Sequence, residues 1–100
     1  MKLQLAFRPD AELEFFRAIA WYEQERPGLG QDFAHEVMQA LEHAAEQPEL
    51  FRKARGSARK IRLKRFKAYS IHFAVKDDVL SAILVFHGSR NPAELRRRLM

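Results

Sequence analysis

The sequence predicts an α+β domain with the element order β-α-α-β-β-β, and three observations carry that prediction. The stretch Arg59–Phe86 reads as three successive strands. Two helical patterns precede it, joined by Pro27-Gly28-Leu29-Gly30, and a short alternating segment opens the chain. Two helices on so short a connection form an antiparallel hairpin, and three strands on tight turns form a meander. The hairpin is therefore expected on one face of a small, mainly antiparallel sheet, with a short helix at the C-terminus.

The opening strand, Lys2–Phe7, sets Leu3, Leu5 and Phe7 against Lys2, Gln4 and Ala6, as an edge strand does. Pro9 then suits a first helical turn, and Asp10, Glu12 and Glu14 suit the positive end of the helix dipole. The first helix is expected to run to about Glu25. Its apolar positions make two adjoining stripes, Leu13, Phe16, Ala20 and Phe15, Ile19, Tyr22, with Trp21 nearby. A face that wide should pack on both the sheet and a second helix, which makes Trp21 and Tyr22 packing residues. Gly28 and Gly30 are read as supplying the backbone angles of the sharp turn. The second helix, to about Glu46, has one clean apolar face of Phe33, Val37, Ala40, Leu41 and Ala44. His35 and His43 lie opposite, about two turns apart, too far to chelate one metal ion. Pro48 ends the helix by pushing Gln47 out of the α region.

In the first strand of the meander, Arg59–Phe66, cations alternate with aliphatic residues. Ile61 and Leu63 share one face, and Lys60, Arg62 and Lys64 the other. Ala68–Val75 repeats the scheme with Tyr69, Ile71, Phe73 and Val75 on one face and His72 opposite, as a partly exposed sheet residue. Val79–Phe86 is apolar on both faces and so must be covered twice, by the hairpin and by the C-terminal helix or a partner segment. Lys67-Ala68 and Asp77-Asp78 make the turns. Asn91 as N-cap, Pro92 at N1 and Glu94 at N3 form a capping box before a two-turn helix to Leu99, which needs docking to be stable.

One hundred residues, 47% hydrophobic with eight Phe, suit a single domain over residues 1–100 with its own core. The absence of cysteine excludes disulfides and thiolate metal sites and fits a reducing compartment. Lys2-Leu3-Gln4-Leu5 is too short and mixed for a signal peptide, and no apolar run approaches the roughly 20 residues a membrane span needs. The expectation is a soluble cytoplasmic protein. The net charge of +5 conceals an asymmetry: residues 1–49 carry −6 and residues 50–100 carry +11. Nine cations and no acid fall between Arg52 and Lys67. That block points to a polyanionic partner, nucleic acid or an acidic protein segment, over simple balance within the fold.

Five strings in this order resemble the RelE/ParE toxins of bacterial type II toxin–antitoxin modules. They are Ala18–Tyr22 with Arg26–Gly30, Glu46–Phe51, Ile61–Arg65, Tyr69–Val75, and Phe86-His87-Gly88-Ser89-Arg90-Asn91-Pro92 before the basic tail. The likeness covers nearly the whole chain. It implies a small basic toxin held by a cognate antitoxin in a hetero-oligomer. RelE-like members cut mRNA in the ribosome, and ParE-like members poison DNA gyrase. Cutting RNA needs a base, a proton donor and cations on the phosphorane. The candidates here are His87 with Arg59, Arg62, Lys64 and Arg90. RelE-like nucleases typically carry a C-terminal Tyr, whereas this chain has only Tyr22 and Tyr69, so the resemblance favours the ParE branch. A member that binds its antitoxin without toxicity is the third alternative. For contact with antitoxin or target, the expected residues are Arg59, Lys60, Arg62, Lys64, Arg65, Leu80, Leu84, Phe86, Arg96 and Arg97. No motif calls for a metal or a cofactor.

Overall fold

The computed structural model describes residues 2–99. The elements run β1 (Gln4–Phe7), α1 (Pro9–Glu25), α2 (Leu29–Glu46), a 3-10 turn at Pro48–Leu50, β2 (Arg59–Arg62), β3 (Tyr69–Lys76), β4 (Val79–His87) and α3 (Pro92–Leu99). The sheet order is β1-β4-β3-β2, with β1 parallel to β4 and the other pairs antiparallel. The α+β order and helical hairpin are those the sequence predicts. The sheet's two edges are β1 and β2.

The main core lies between the hairpin and one face of the sheet, where Phe15, Phe33, Val37 and Leu41 meet Ile61, Leu63, Ile71 and Phe73. Aromatic contacts bind the layers: Phe33 lies 5.1 Å from Tyr22, 5.2 Å from Phe66 and 5.3 Å from Tyr69. A smaller core forms on the other face, where Ala58, Ile83, Leu84 and Phe86 pack under Leu95 and Leu99 of α3. β4 is thus covered on both sides, by the hairpin and by α3. A bulge makes this possible: β3 pairs Leu84 with His72 and Ala82 with Phe73, so Ile83 is the extra residue. Asp77 and Asp78 both adopt positive φ (53° and 64°) in the tight turn between β3 and β4.

Four expectations change. The strand expected over Arg59–Phe66 ends at Arg62. The Glu36 carboxylate on α2 accepts hydrogen bonds from the Lys64 N–H (2.6 Å) and the Arg65 N–H (3.3 Å) and draws the chain off the sheet. Leu63 and Phe66 remain buried because that detour tucks them beneath the helices. On α1, Tyr22 joins the core, but Trp21 (55% exposed), Leu13 and Phe16 face outward. The helical period sets Leu13, Phe16 and Ala20 opposite the buried Ala11, Phe15 and Ala18, and nothing among the described residues covers that side. Of the two glycines in the helix–helix turn, Gly28 has positive φ (89°) and Gly30 does not. Gly30 instead allows helix–helix contact, since a Cβ there would sit 2.4 Å from the Ile19 carbonyl oxygen. His72, expected to be partly exposed, is 2% exposed, because Ala58 and the segment before β2 close over that face.

Candidate functional site

Two basic regions exist, and they are built differently. The first surrounds the end of β4. β1 stops at Phe7, whose successor Arg8 donates its N–H to the Ala82 carbonyl (2.9 Å), so the edge of β4 beyond Ala82 has no strand beside it. Side chains take the strand's place. Glu14 accepts from the Val85 N–H at 3.1 Å, and Arg98 donates to the Ile83 carbonyl of the bulge at 2.8 Å. The same Glu14 carboxylate receives Arg90 and Arg98, each at 2.9 Å, and Arg90 also pairs with Glu94. Burial pushes the Glu14 carboxyl up, but the bonds from Arg98, Val85 and Arg90 outweigh it and hold the group below its ordinary value. α3 is therefore pinned to α1 and β4 through one acid.

Glu94 faces Arg90 rather than returning to the Asn91 N–H, so the expected capping box is half formed. Asn91 Oδ1 accepts from the Ala93 N–H at 2.9 Å.

An open cleft of about 490 Å³ lies above this cluster, lined by Glu14, Arg17, Tyr69, His87, Arg90 and Arg98 among others. His87 closes β4, opposite Tyr69 in register, with the rings edge-on at 4.9 Å. Its Nδ1 accepts from the Ser89 N–H (3.0 Å) and lies 2.7 Å from the Ser89 hydroxyl. An accepting Nδ1 carries no proton, which places the ring proton of the neutral tautomer on Nε2. Burial raises the Tyr69 phenol, so it is a weaker acid than a free tyrosine.

The second region is the β2 edge. Arg59 donates to the Phe51 carbonyl at 2.6 Å and holds the preceding loop. Arg65 pairs with Asp32 at 3.0 Å and lies over the Phe66 ring. Lys60 is half-buried, and its ammonium is pushed down by burial and then by Arg62 and Arg52. Beside it, burial and then the Lys60 charge lower His72 to about 4, and no hydrogen-bond partner reaches its Nδ1. Arg62 and Lys64 are exposed, without a carboxylate partner among the described residues.

Of the candidate nuclease residues, His87 and Arg90 share the cleft, whereas Arg59, Arg62 and Lys64 do not line it. Arg62, Ser70 and Phe86 stand level across the sheet, one residue from His87. Arg62 flanks the core-facing Ile61 and so points to the α3 side, whereas His87 meets Tyr69 of the hairpin side. β3 lies between them, and Arg90 is held by two acids. Of the expected contact residues, Arg96 and Arg97 are exposed on α3, but Leu80, Leu84 and Phe86 are internal. Leu80 belongs to the main core and the other two lie under α3, because β4 is an inner strand covered on both faces.

Glu14 is the residue that sequence reasoning missed. It falls in the buried pattern Ala11, Phe15, Ala18, and an acid flanking a core-facing stripe signals a buried cation. Among the described residues, no group of three metal-ligating side chains could hold a metal ion, and no helix is long and apolar enough to cross a membrane.

A family model described as the ParE toxin of the type II toxin–antitoxin system parDE matches residues 5–92. No curated protein matches the sequence. Among solved structures, the chromosomal ParDE toxin–antitoxin system from P. aeruginosa superposes with a TM-score of 0.72 at 12% identity, covering 86% of this chain and 96% of that one. An E. coli toxin RelE double arginine-to-alanine mutant in the free state superposes with a TM-score of 0.61 at 21% identity, covering 99% and 95%.

Proposed function

The chain belongs to the ParE toxin family of type II toxin–antitoxin systems, and from that membership we propose that it acts by inhibiting DNA gyrase rather than by cutting RNA. The observation that carries this reading is the separation of the would-be nuclease groups. A ribonuclease site needs its base, acid and cations around one phosphate. Here Arg62 stands on the opposite face of the sheet from His87 and Tyr69, Lys64 lies off the sheet beside Glu36 of α2, and the charge of Arg90 is taken up by Glu14 and Glu94. What remains is a small rigid body with charged surfaces, which suits inhibition by binding.

One observation favours the interferase reading: Tyr69, remote from the C-terminus in sequence, stands against His87 in the cleft. That cleft does not include Arg59, Arg62 or Lys64 among its lining residues, so the pair stands apart from the cations of the β2 edge. The test sets the purified protein against gyrase supercoiling and against mRNA in a translating ribosome extract. Blocked supercoiling with intact mRNA is the expected result. Cleaved mRNA with unaffected supercoiling would sink the proposal in favour of the interferase.

A further inference from the structure

No other described element covers the outer face of α1. Leu13 is 49% exposed and Phe16 57%, and Ala20 and Trp21 continue the row toward the C-terminal end of the helix. Single exposed apolar residues are ordinary, but a row of them on one helix makes a patch of the kind that marks an interaction site. Its two large rings are also held from beneath. Phe16 stacks on Phe15 of the core at 5.9 Å, and Trp21 stands edge-on against Tyr22 at 5.2 Å. Rings already fixed lose little freedom on binding, which is what an anchor residue needs.

The charges around this ridge specify its partner. α1 carries five acids and one arginine. The helical period sets Glu12 and Glu23 along the Phe16 border and Asp10 and Glu25 along the Trp21 border. Asp10, Glu12 and Glu25 are exposed and have no cation paired to them among the described residues. Glu23 directs its carboxylate at the Gly28 and Gly30 N–H groups. Arg17 lies inside the ridge, with no carboxylate paired to it among the described residues. An apolar strip between two acidic borders complements a helix whose own apolar stripe is flanked by lysine or arginine, with one acid set to meet Arg17.

We propose that this ridge is where the toxin's target protein docks, through an amphipathic helix with basic flanks. A nucleic acid would meet acids there. A second copy of this chain would bring the same acidic borders against them, and like charges placed face to face are costly. The ridge shares no residue with the cations of the β2 edge, so the two surfaces are separable by mutation. The proposal rests on the reading of the chain as a toxin that inhibits by binding.

Trp21 is the chain's one tryptophan, so its fluorescence reports directly on the ridge. The probe is a capped peptide of about 18 residues, long enough to hold a helix, with a leucine stripe flanked by lysine. Added to the full chain, it should shift Trp21 emission to shorter wavelength and shield the ring from acrylamide. A scrambled peptide of the same composition and a leucine–glutamate helix should do neither. Phe16→Ser should weaken binding about tenfold, as loss of an anchor does. Glu12→Lys combined with Glu25→Lys should weaken it about threefold by reversing both borders. Circular dichroism checks the fold of both, and the charge-reversed pair decides if Phe16→Ser does not fold. An unmoved Trp21, equal binding of the scrambled peptide, or full binding by the variants would overturn the proposal. So would a parent protein that self-associates until Phe16→Ser makes it monomeric, or a Trp21 shielded by the antitoxin. In the supercoiling assay, Phe16→Ser should lose about tenfold in potency while still binding the antitoxin, and unchanged potency would overturn target docking here. A parent protein that leaves supercoiling untouched sinks the gyrase reading alone, because the peptide still decides the ridge.

Discussion

The two arginine-rich regions look alike in the sequence and differ in the fold. At the C-terminus, Arg90 and Arg98 converge on one largely buried acid, and Arg98 also completes the backbone of the β4 bulge. At the β2 edge, the Arg62 and Lys64 side chains stand in solvent with no carboxylate paired to them among the described residues, and Lys60 is pushed down by burial and then by like charge. The first cluster holds a helix in place and the second presents charge outward. Cation counts therefore do not identify a binding surface. What decides is whether the fold brings an acid to each cation.

That contrast can be broken or sharpened by substitution. The largest effect is expected at Glu14. Glu14→Gln removes the charge shared by two arginines and should cost about 3 kcal/mol, since breaking a buried pair strands its partner. Urea denaturation measures this, and a loss below about 1 kcal/mol would make the cluster peripheral.

The next effect is a pH dependence with two windows. His72 binds a proton more weakly in the fold, at about 4 against an ordinary 6.5, so the unfolded chain takes up the proton first. Stability should fall by up to about 3 kcal/mol as pH drops from 6.5 to 4. Glu14 is held below its ordinary 4.5, so its contribution is intact above that value and is lost as pH falls through the lower, folded one. His72→Leu should flatten the upper window alone, and Glu14→Gln the lower one. An unchanged upper window in His72→Leu would mean that the histidine is not buried as a neutral ring.

The smallest stability effect belongs to the edge. The double variant Arg62→Glu, Lys64→Glu should change stability by less than about 0.5 kcal/mol, as exposed sites do, while abolishing capture by the antitoxin. Unfolding seen by circular dichroism would show that these side chains do not point outward.

Local pattern was enough to read most of the fold. Alternation in Lys2–Phe7, the clean face from Phe33 to Ala44, Asp77-Asp78 between two apolar runs and the doubly apolar β4 each place their element. Where the reading failed, a distant side chain overrode the local pattern. Glu36 ends β2 four residues early by capturing two backbone N–H groups from another element. His72 is buried by a loop whose path no periodicity encodes. Leu13, Phe16 and Trp21 look like core residues because helical amphipathicity reports how apolar a face is, not whether anything lies against it. At the candidate site, the cations of the β2 edge were legible as a charge run. The Glu14 junction was not, because it unites α1, β4 and α3.

The most direct test applies one chemical change to both regions. Arg98→Glu and Arg62→Glu each replace an arginine by an acid, and urea unfolding of the two proteins is compared at neutral pH. A loss of about 3 kcal/mol for Arg98→Glu, with Arg62→Glu within about 0.5 kcal/mol of the parent, is the predicted result. Equal losses, or a larger one at Arg62, would contradict the division into an internal clamp and an outward-facing surface.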